Sequence, residues 1–187
     1  FMNFLLGFVV MVVLIAAQSE PITSRVIYAI DEGALCGQTG LEAGDKVLAV
    51  NGRRCFVAND MLYELMRTED YSARFTVLRG GEKVELPCVR FDTWQDDSGE
   101  THMSLGFTVY GIRKTPANVV KEAWNSVLYY GRIIFTSLMD LLRGRESIND
   151  LSGPVGIVTA IGQAASYGLE DLMELLVLIT INLGIFN

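Results

Sequence analysis

The most constraining feature of the sequence is an apolar run at each end. Residues 1–17, FMNFLLGFVVMVVLIAA, contain no charge and one amide, and a second uncharged run starts at Leu175. Such runs predict helices that cross a bilayer, which takes about 20 apolar residues. The first run is short and has no basic leader, so we interpret it as a transmembrane helix cut at its N-terminal side. The apolar core of a signal peptide is the alternative, because IAAQS offers small residues for cleavage.

Composition narrows the possible partners. The mean hydropathy of +0.32 is high for a soluble protein, which agrees with insertion of part of the chain into a lipid bilayer. The formal net charge is −7, and Lys and Arg form no block beside aromatic residues. Because nucleic-acid binding needs a basic surface, the composition predicts no nucleic-acid partner.

Residues 21–92 have the pattern of a soluble β-rich domain. Short runs such as SRVIYAI and KVLAVNG alternate as strands do. The RGGEK stretch, with Gly80 and Gly81 between two such runs, predicts a hairpin turn. The stretch NDMLYELMRTE predicts a helix, because its apolar residues recur at helical spacing and Asn59 or Asp60 can cap its start.

Residues 93–114 are expected to form a connecting loop or strand, since TWQDDSGETHMS is polar and acidic. His102, the only histidine, lies here. A zinc site needs partners at matching spacing, so we assign no metal ligand and no chemical role to it. The cysteines at 36, 55 and 88 are interpreted as small buried hydrophobic residues, or else as one disulfide with a free thiol.

Residues 115–144 are predicted to form an amphipathic helix that Thr115 caps and whose first residue is a proline. Its polar residues recur every three or four positions in one stripe, formed by Asn118, Lys121, Asn125, Tyr129, Arg132, Thr136, Asp140 and Arg143. The helix either packs on its own domain or lies on a membrane surface with Trp124, Tyr129 and Tyr130 at the interface. We favour the surface position, because the segments on both sides are apolar.

Residues 151–168 are predicted to form a Gly- and Pro-containing re-entry segment with a short helix, and Gly168 is predicted to end that helix. A second transmembrane helix, cut at its far end, is predicted for 169–187. The sequence thus predicts an α+β membrane protein, in which a β-rich domain is inserted between truncated transmembrane helices at 1–18 and 169–187 and an amphipathic surface helix follows that domain.

One motif resembles PDZ domains of the bacterial protease type. The stretch GLEAGDKVLAVNG follows their G-L-x-x-G-D-x-I-x-x-V-N-G signature, and the matching residues are Gly40, Leu41, Gly44, Asp45, Asn51 and Gly52. This resemblance implies a PDZ-like fold. It implies no reaction, because a fold does not fix a function.

The tail and the first helix extend the resemblance. LSGPVGI followed by ITINLGIFN is similar to the segment before the last catalytic motif of the site-2 protease family, the intramembrane zinc metalloproteases of the regulator-of-sigma-E type. The opening FMNFLLGF looks like the second transmembrane segment of that family. The resemblance covers nearly the whole chain in the expected order, and it implies regulated intramembrane proteolysis with the PDZ domain as a substrate gate or filter.

The resemblance also implies where the zinc would be held. In the family, two histidines of H-E-x-x-H and an aspartate of L-D-G bind zinc, and the glutamate is the general base. Neither motif occurs in this sequence, so zinc is expected in the full-length protein and not in this fragment, which we expect to be inactive. Transmembrane protein substrates, the bilayer and a possible peptide ligand of the PDZ domain are the implied partners.

Asn182 and Asn187 are the candidate substrate-binding residues. The resemblance implies that their amides hold a substrate in extended form beside the zinc. On an ideal helix the two lie about 140° apart, so they share a face only if the helix loosens, which Gly184 would permit. The alternative is that the two amides join neighbouring helices.

The alternative function belongs to a different class. Under this interpretation the chain is a non-catalytic, membrane-anchored PDZ module that captures peptides by strand addition. In either case the resemblance implies a multi-pass protein of the inner (cytoplasmic) membrane, with the PDZ domain on the extracytoplasmic side.

Overall fold

A computed structural model of the chain describes residues 2–68, 70–143 and 154–186. The chain forms two compact units. We call Thr23–Ile112 the sheet unit, and Phe1–Ile22 together with Arg113–Asn187 the helical unit.

The described residues contain helices and strands in the following chain order. The helices are α1 (Met2–Ala17), α2 (Leu35–Gln38), α3 (Ala58–Met66), α4 (Pro116–Leu142), α5 (Pro154–Tyr167) and α6 (Leu169–Phe186). The strands are β1 (Ile22–Ile30), β2 (Lys46–Val50), β3 (Arg53–Arg54), β4 (Ser72–Arg79), β5 (Glu82–Arg90), β6 (Asp92–Gln95), β7 (Thr101–Ser104) and β8 (Phe107–Ile112).

The main sheet of the sheet unit has the strand order β5-β4-β2-β1-β8, with β3 paired to β2. Alternating apolar side chains of these strands meet the apolar faces of α2 and α3 in one core. The residues of this core with no measurable exposure are Ile27, Cys36, Val47, Val50, Cys55, Phe75, Val77 and Val89. The sheet unit therefore has a hydrophobic core of its own.

The predicted turn between β4 and β5 is confirmed. Arg79 pairs with Glu82 across it, and Gly80 and Gly81 have φ angles of +58° and +91°. A two-residue turn with both φ angles positive matches the right-handed twist of the strands, and glycine adopts it without strain.

The start of α3 differs slightly from the prediction. The helix begins at Ala58, and Asp60 lies in its first turn. The Asp60 carboxylate accepts hydrogen bonds from the backbone N–H groups of Phe56 and Val57, the second at 3.0 Å. Asp60 thus caps the helix from inside its first turn, and Asn59 does not.

The polar stretch expected as a loop or strand forms a β-hairpin. In it β6 pairs with β7 in the register Trp94↔His102, separately from the main sheet. The chain then returns to the main sheet as β8, which adds Phe107 to the core against Phe91, with ring centroids 6.4 Å apart. The sheet unit therefore continues to Ile112, beyond residue 92, where the sequence analysis ends the domain.

The three cysteines are free thiols. Cys36 and Cys55 are buried, as expected for small hydrophobic residues, and burial raises the pKa of the Cys36 thiol. Cys88 is exposed on the edge strand β5, so the expectation of burial is wrong for this residue.

In the helical unit α1 packs against α4 and α6, and α5 packs against α6. Two glycines lie where α1 and α6 approach each other. A Cβ atom on Gly7 would lie 3.2 Å from Ile181, and one on Gly184 would lie 3.0 Å from the Phe4 ring. Gly184 therefore admits a side chain of α1, and α6 continues as a regular helix through it to Phe186.

The cap of α4 is confirmed. The Thr115 hydroxyl accepts a hydrogen bond from the Asn118 N–H at 3.2 Å, and a proline follows Thr115.

The structure also shows which way the polar stripe of α4 faces. Thr136 and Asp140 are buried, whereas Trp124 and Phe135 are exposed. The far half of α4 thus turns polar side chains inward, and its apolar core residues, Val119, Ala123, Val127 and Ile134, pack within the helical unit.

Within the residues that the structure describes, no helix combines the length and the apolar character needed to cross a membrane. Gly168, with φ at +144°, separates α5 from α6 as expected. The expected end of the amphipathic helix at Gly144 and the start of the re-entry segment at 151–153 lie outside the described residues.

Candidate functional site

The residues of the PDZ-like motif lie in turns of the sheet unit or in its hydrophobic core. Gly40, Gly44, Asn51 and Gly52 have positive φ angles of +112°, +92°, +51° and +78°. Leu41 is 1 % exposed and belongs to the core. A left-handed backbone conformation suits glycine and, less well, asparagine, which explains these residue types without any reaction.

Asp45 of this motif is the centre of a buried ion pair. Its carboxylate accepts two hydrogen bonds of 2.7 Å from Arg79 and one of 3.0 Å from the Glu42 N–H. Arg79 also donates to the Gly40 carbonyl oxygen at 2.7 Å, and the hydrogen bonds to Asp45 raise the pKa of the Arg79 guanidinium. Sequence reasoning missed Arg79, because nothing local links β4 to the motif.

Asn51 joins the same motif to β4. Its N–H donates to the Arg74 carbonyl oxygen at 2.8 Å, and its side-chain oxygen accepts from the Arg74 N–H at 2.9 Å. These bonds imitate a pair of strand hydrogen bonds where β2 ends. The motif residues therefore position backbone, and they contribute no nucleophile, acid or base.

The two edges of the main sheet differ in chemistry. At one edge β5 carries four charged residues and Pro87 in EKVELPCVR, and at the other β8 reads FTVYGI without a charge. Charges and proline on an edge strand discourage pairing with a further strand. The β8 edge lacks these features.

The turn that leads into β8 is fixed by a close contact. Gly106 has a φ angle of +63°, and a Cβ atom there would lie 2.8 Å from the Ala34 Cβ. Its carbonyl oxygen accepts from the Asp31 N–H at 2.9 Å and from the Cys36 thiol at 3.5 Å. These contacts fix the turn at Gly106, before β8 begins.

The two candidate substrate-binding residues lie near the end of α6. The packed side of α6 is formed by Val177, Thr180 and Ile181, whereas Asn182 is exposed. Among the described residues, the Asn182 amide has no hydrogen-bond partner. Asn187 lies outside the described residues.

His102 is placed by the structure in β7, at the tip region of the β6–β7 hairpin. Its Nε2 atom lies 3.1 Å from a carboxylate oxygen of Asp96, and these two form with Glu100 the one group of possible metal ligands found among the described residues. Asp96 also accepts hydrogen bonds from Ser98, and these contacts hold the pKa of its carboxyl well below the usual range. The sequence analysis did not identify these neighbours of His102, and the D-x-x-x-E-x-H spacing around Gly99 was the signal available. The assignment of no metal ligand and no chemical role to His102 stays a prediction.

This arrangement does not fit the catalytic zinc of the resembled family. That pattern needs a pair of histidines on one helix, and the chain has one histidine, which lies in a strand. The residues of this chain therefore supply no ligand set of that type, and we derive no reaction step through zinc.

Comparison with known proteins gives a consistent result along the whole chain. The family model described as "Peptidase family M50" matches residues 1–187. Among curated proteins, zinc metalloprotease RasP of Geobacillus kaustophilus is 30 % identical over 99 % of this chain and 43 % of its own length. Regulator of sigma-W protease RasP of Bacillus subtilis is 25 % identical over 100 % of this chain and 44 % of its own length.

A third relative, putative zinc metalloprotease Atu1380 of Agrobacterium fabrum, is 23 % identical over 99 % of this chain and 52 % of its own length. The chain thus spans about half, or less, of the length of these curated relatives. The family expected from the motifs is confirmed, and the chain belongs to peptidase family M50, the site-2 protease family.

Proposed function

We propose that this chain is the substrate-handling part of a membrane-embedded zinc endopeptidase that cleaves transmembrane proteins in regulated intramembrane proteolysis. The family match over residues 1–187 is the observation that carries this proposal. The chain itself lacks the zinc-binding motifs of the family, so its residues bind and filter the substrate, and alone it is inactive. Zinc acts in the longer protein.

The exposed amide of Asn182 supports a role in substrate binding. A helix of the substrate must be extended before a protease can cut it, and its freed peptide groups then need hydrogen-bond partners. A side-chain amide offers both a donor and an acceptor. Asn182 meets this need because it faces away from the α1 contact, and we assign the same role to Asn187.

The exposed apolar residues of the helical unit support contact with a bilayer. On α1 the exposed apolar side chains are Met2, Leu5, Leu6, Val9 and Val13. An apolar surface of this kind is costly in water and favourable in lipid. We therefore propose a position in the inner (cytoplasmic) membrane, with α1 and α6 as parts of membrane-spanning helices and the sheet unit on the extracytoplasmic side.

The test uses a chimera in which this chain replaces the matched region of the Geobacillus protein. Asn182→Ala is expected to lower cleavage of a model transmembrane substrate by about 5- to 150-fold, since an unsatisfied peptide group costs about 1–3 kcal/mol. The melting temperature of the Asn182→Ala chimera in detergent should stay unchanged.

Thr180→Ala is the matched control, because Thr180 is buried on the packed side of the same helix. It should lower the melting temperature and leave the activity of the folded fraction near normal. If Asn182→Ala behaved like this control, the amide would join helices and the substrate role would be wrong.

A second candidate function is peptide capture by the sheet unit, here treated as a PDZ domain. The uncharged β8 edge favours it, because main-chain hydrogen bonds along a free edge can hold an extended peptide. This activity would serve as the substrate filter of the protease, or stand alone in a non-catalytic module.

The test compares the two edges of the sheet. Peptides selected for binding to the wild-type chain should lose affinity when a charge is placed on the open edge by Thr108→Lys, an exposed position. Glu85→Lys on the β5 edge is the control and should have little effect. Equal losses, or no peptide selected at all, would contradict peptide capture at β8.

A further inference from the structure

The tip of the β6–β7 hairpin gathers three side chains of the kinds that bind metal ions. One ligand atom each from Asp96, Glu100 and His102 lies within 4.8 Å of the others. Ligand atoms around one Zn²⁺, with bonds of about 2.0–2.2 Å, are about 3–4 Å apart. Small rotations of side chains therefore suffice to close this group on a single ion.

The Asp96 carboxylate is already fixed in direction. Its Oδ1 atom accepts hydrogen bonds from the Ser98 N–H at 2.9 Å, the Ser98 hydroxyl at 2.6 Å and the Glu100 N–H at 2.9 Å. Its Oδ2 atom is left to face His102 at 3.1 Å. Outer hydrogen bonds of this kind orient a ligand before the ion arrives.

The His102 ring is fixed by a different contact. It lies directly across the hairpin from Trp94, and the two ring centroids are 4.7 Å apart with planes tilted by 30°. The imidazole is therefore held by Trp94 on its face and by Asp96 at its edge. Trp94 is also a fluorophore in contact with His102.

Charge favours a divalent ion over a proton at this tip. Two carboxylates converge on one imidazole, and Asp97 adds a further negative charge to the same turn. An imidazolium offers one positive charge to the pair of carboxylates, whereas a divalent cation balances both of them and also accepts the imidazole nitrogen.

We propose that Asp96, Glu100 and His102 form a binding site for a divalent transition-metal ion of the Zn²⁺, Co²⁺ and Ni²⁺ class. An imidazole with two carboxylates suits this class, whereas Mg²⁺ and Ca²⁺ prefer oxygen ligands alone. The site is open to solvent, so the ion exchanges readily, and its binding ties the two ends of the hairpin turn together.

The experiment is a titration of the full chain, purified in detergent without a histidine tag. The variant Trp124→Phe leaves Trp94 as the single tryptophan. Ni²⁺, a paramagnetic quencher, should reduce the Trp94 emission in a saturable way with one ion bound per chain. Zn²⁺, which does not quench in this way, should displace Ni²⁺ and restore the emission.

Glu100→Gln and Asp97→Asn form the matched pair of variants in that background. Each removes one negative charge from the same turn, but only Glu100 belongs to the proposed site. Glu100→Gln should weaken Ni²⁺ binding by at least about 10-fold, the loss typical of disturbing a metal site. Asp97→Asn should change it by less than about twofold, since an exposed charge that does not bind the ion contributes little.

His102→Gln, followed by calorimetric titration with Zn²⁺, should abolish binding. The proposal is overturned if quenching does not saturate, if Asp97→Asn weakens binding as much as Glu100→Gln, or if His102→Gln leaves Zn²⁺ affinity unchanged. Each of these results would identify the cluster as a surface ion pair between Asp96 and His102 with diffuse attraction for cations.

Discussion

The two units of the molecule both bury apolar and polar side chains, but most of the exposed large apolar side chains belong to the helical unit. In the sheet unit apolar residues fill the core, and the buried Asp45 is matched by Arg79. In the helical unit Thr136, Asp140 and Thr180 are buried, whereas large apolar residues such as Phe135, 57 % exposed, lie on the surface. The first pattern is that of a domain in water, and the second is the pattern expected of helices that contact lipid.

The contrast shows that burial of polar groups has a different meaning in each unit. In water, a buried charge must be compensated or it destabilises the fold. In a bilayer, a polar residue on the outside of a helix is the costly one, so such residues turn inward. The proposed membrane position would explain why Thr136 and Asp140 of α4 are buried.

The largest effect should come from shortening the sheet unit. A fragment of residues 22–112 should fold and unfold cooperatively, because it keeps every strand of the main sheet. A fragment of residues 21–92 lacks β8 and Phe107, so β1 loses a neighbouring strand and Phe91 loses a core contact. We expect this shorter fragment not to fold. Urea unfolding followed by circular dichroism distinguishes the two, and a cooperative transition in the shorter fragment would place β8 outside the folding unit.

The next largest effect should come from the buried ion pair. Arg79→Ala leaves the Asp45 carboxylate, whose side chain is 0 % exposed, without its charged partner and should lower the free energy of unfolding of the sheet unit by about 3–5 kcal/mol. Glu42→Gln removes the other carboxylate that binds Arg79, but its side chain is 61 % exposed. That control should cost about 0–1 kcal/mol, and equal losses in urea unfolding would show that burial is not what makes the pair important.

In the helical unit a matched pair of glycines tests the close approach of α1 and α6. Gly184→Leu drives a side chain into Phe4 and Asn3 and should destabilise the unit by about 1–3 kcal/mol. Gly162→Leu in α5 meets open space and should stabilise it by up to about 1 kcal/mol, because leucine favours helix. Melting temperatures in detergent that fall equally would contradict the packing described here.

The smallest effect is expected on the outer side of α4. Phe135→Gln changes an exposed residue and should alter stability in detergent by no more than about 0.5 kcal/mol. Ile134→Gln changes the neighbouring residue, which is 8 % exposed, and buries an amide in an apolar core. The melting temperature of Ile134→Gln should therefore be clearly lower than that of the wild type. Similar melting temperatures for the two variants would mean that α4 is packed on both sides.

Features set by neighbouring residues were predictable from the sequence. The Gly80-Gly81 turn and the Thr115 cap depend on backbone angles and hydrogen bonds within a few residues, so the local amino-acid sequence is enough to predict them. The family was predictable for a related reason, since its motifs are short stretches in a fixed order.

Features set by distant residues were not predictable. The Asp45–Arg79 pair joins positions 34 residues apart, and β8 belongs to the main sheet only because it pairs with β1. Helical spacing revealed the polar stripe of α4, but the inward direction of that stripe depends on where α1 and α6 pack. The substrate role proposed for Asn182 rests on the resemblance, whereas its exposure depends on which side of α6 is buried.

The pairing of β8 with β1 also has a consequence for the order of folding. The β4–β5 hairpin closes a two-residue turn, and hairpins form in about 1–10 μs. The β1–β8 pair must close a loop that spans most of the unit, and the entropy of that closure is lost before its contacts form. We therefore expect β8 to dock late, and its amide protons to exchange with deuterium sooner than those of β4. The edge proposed for peptide capture would then also be the part of the sheet that opens most readily.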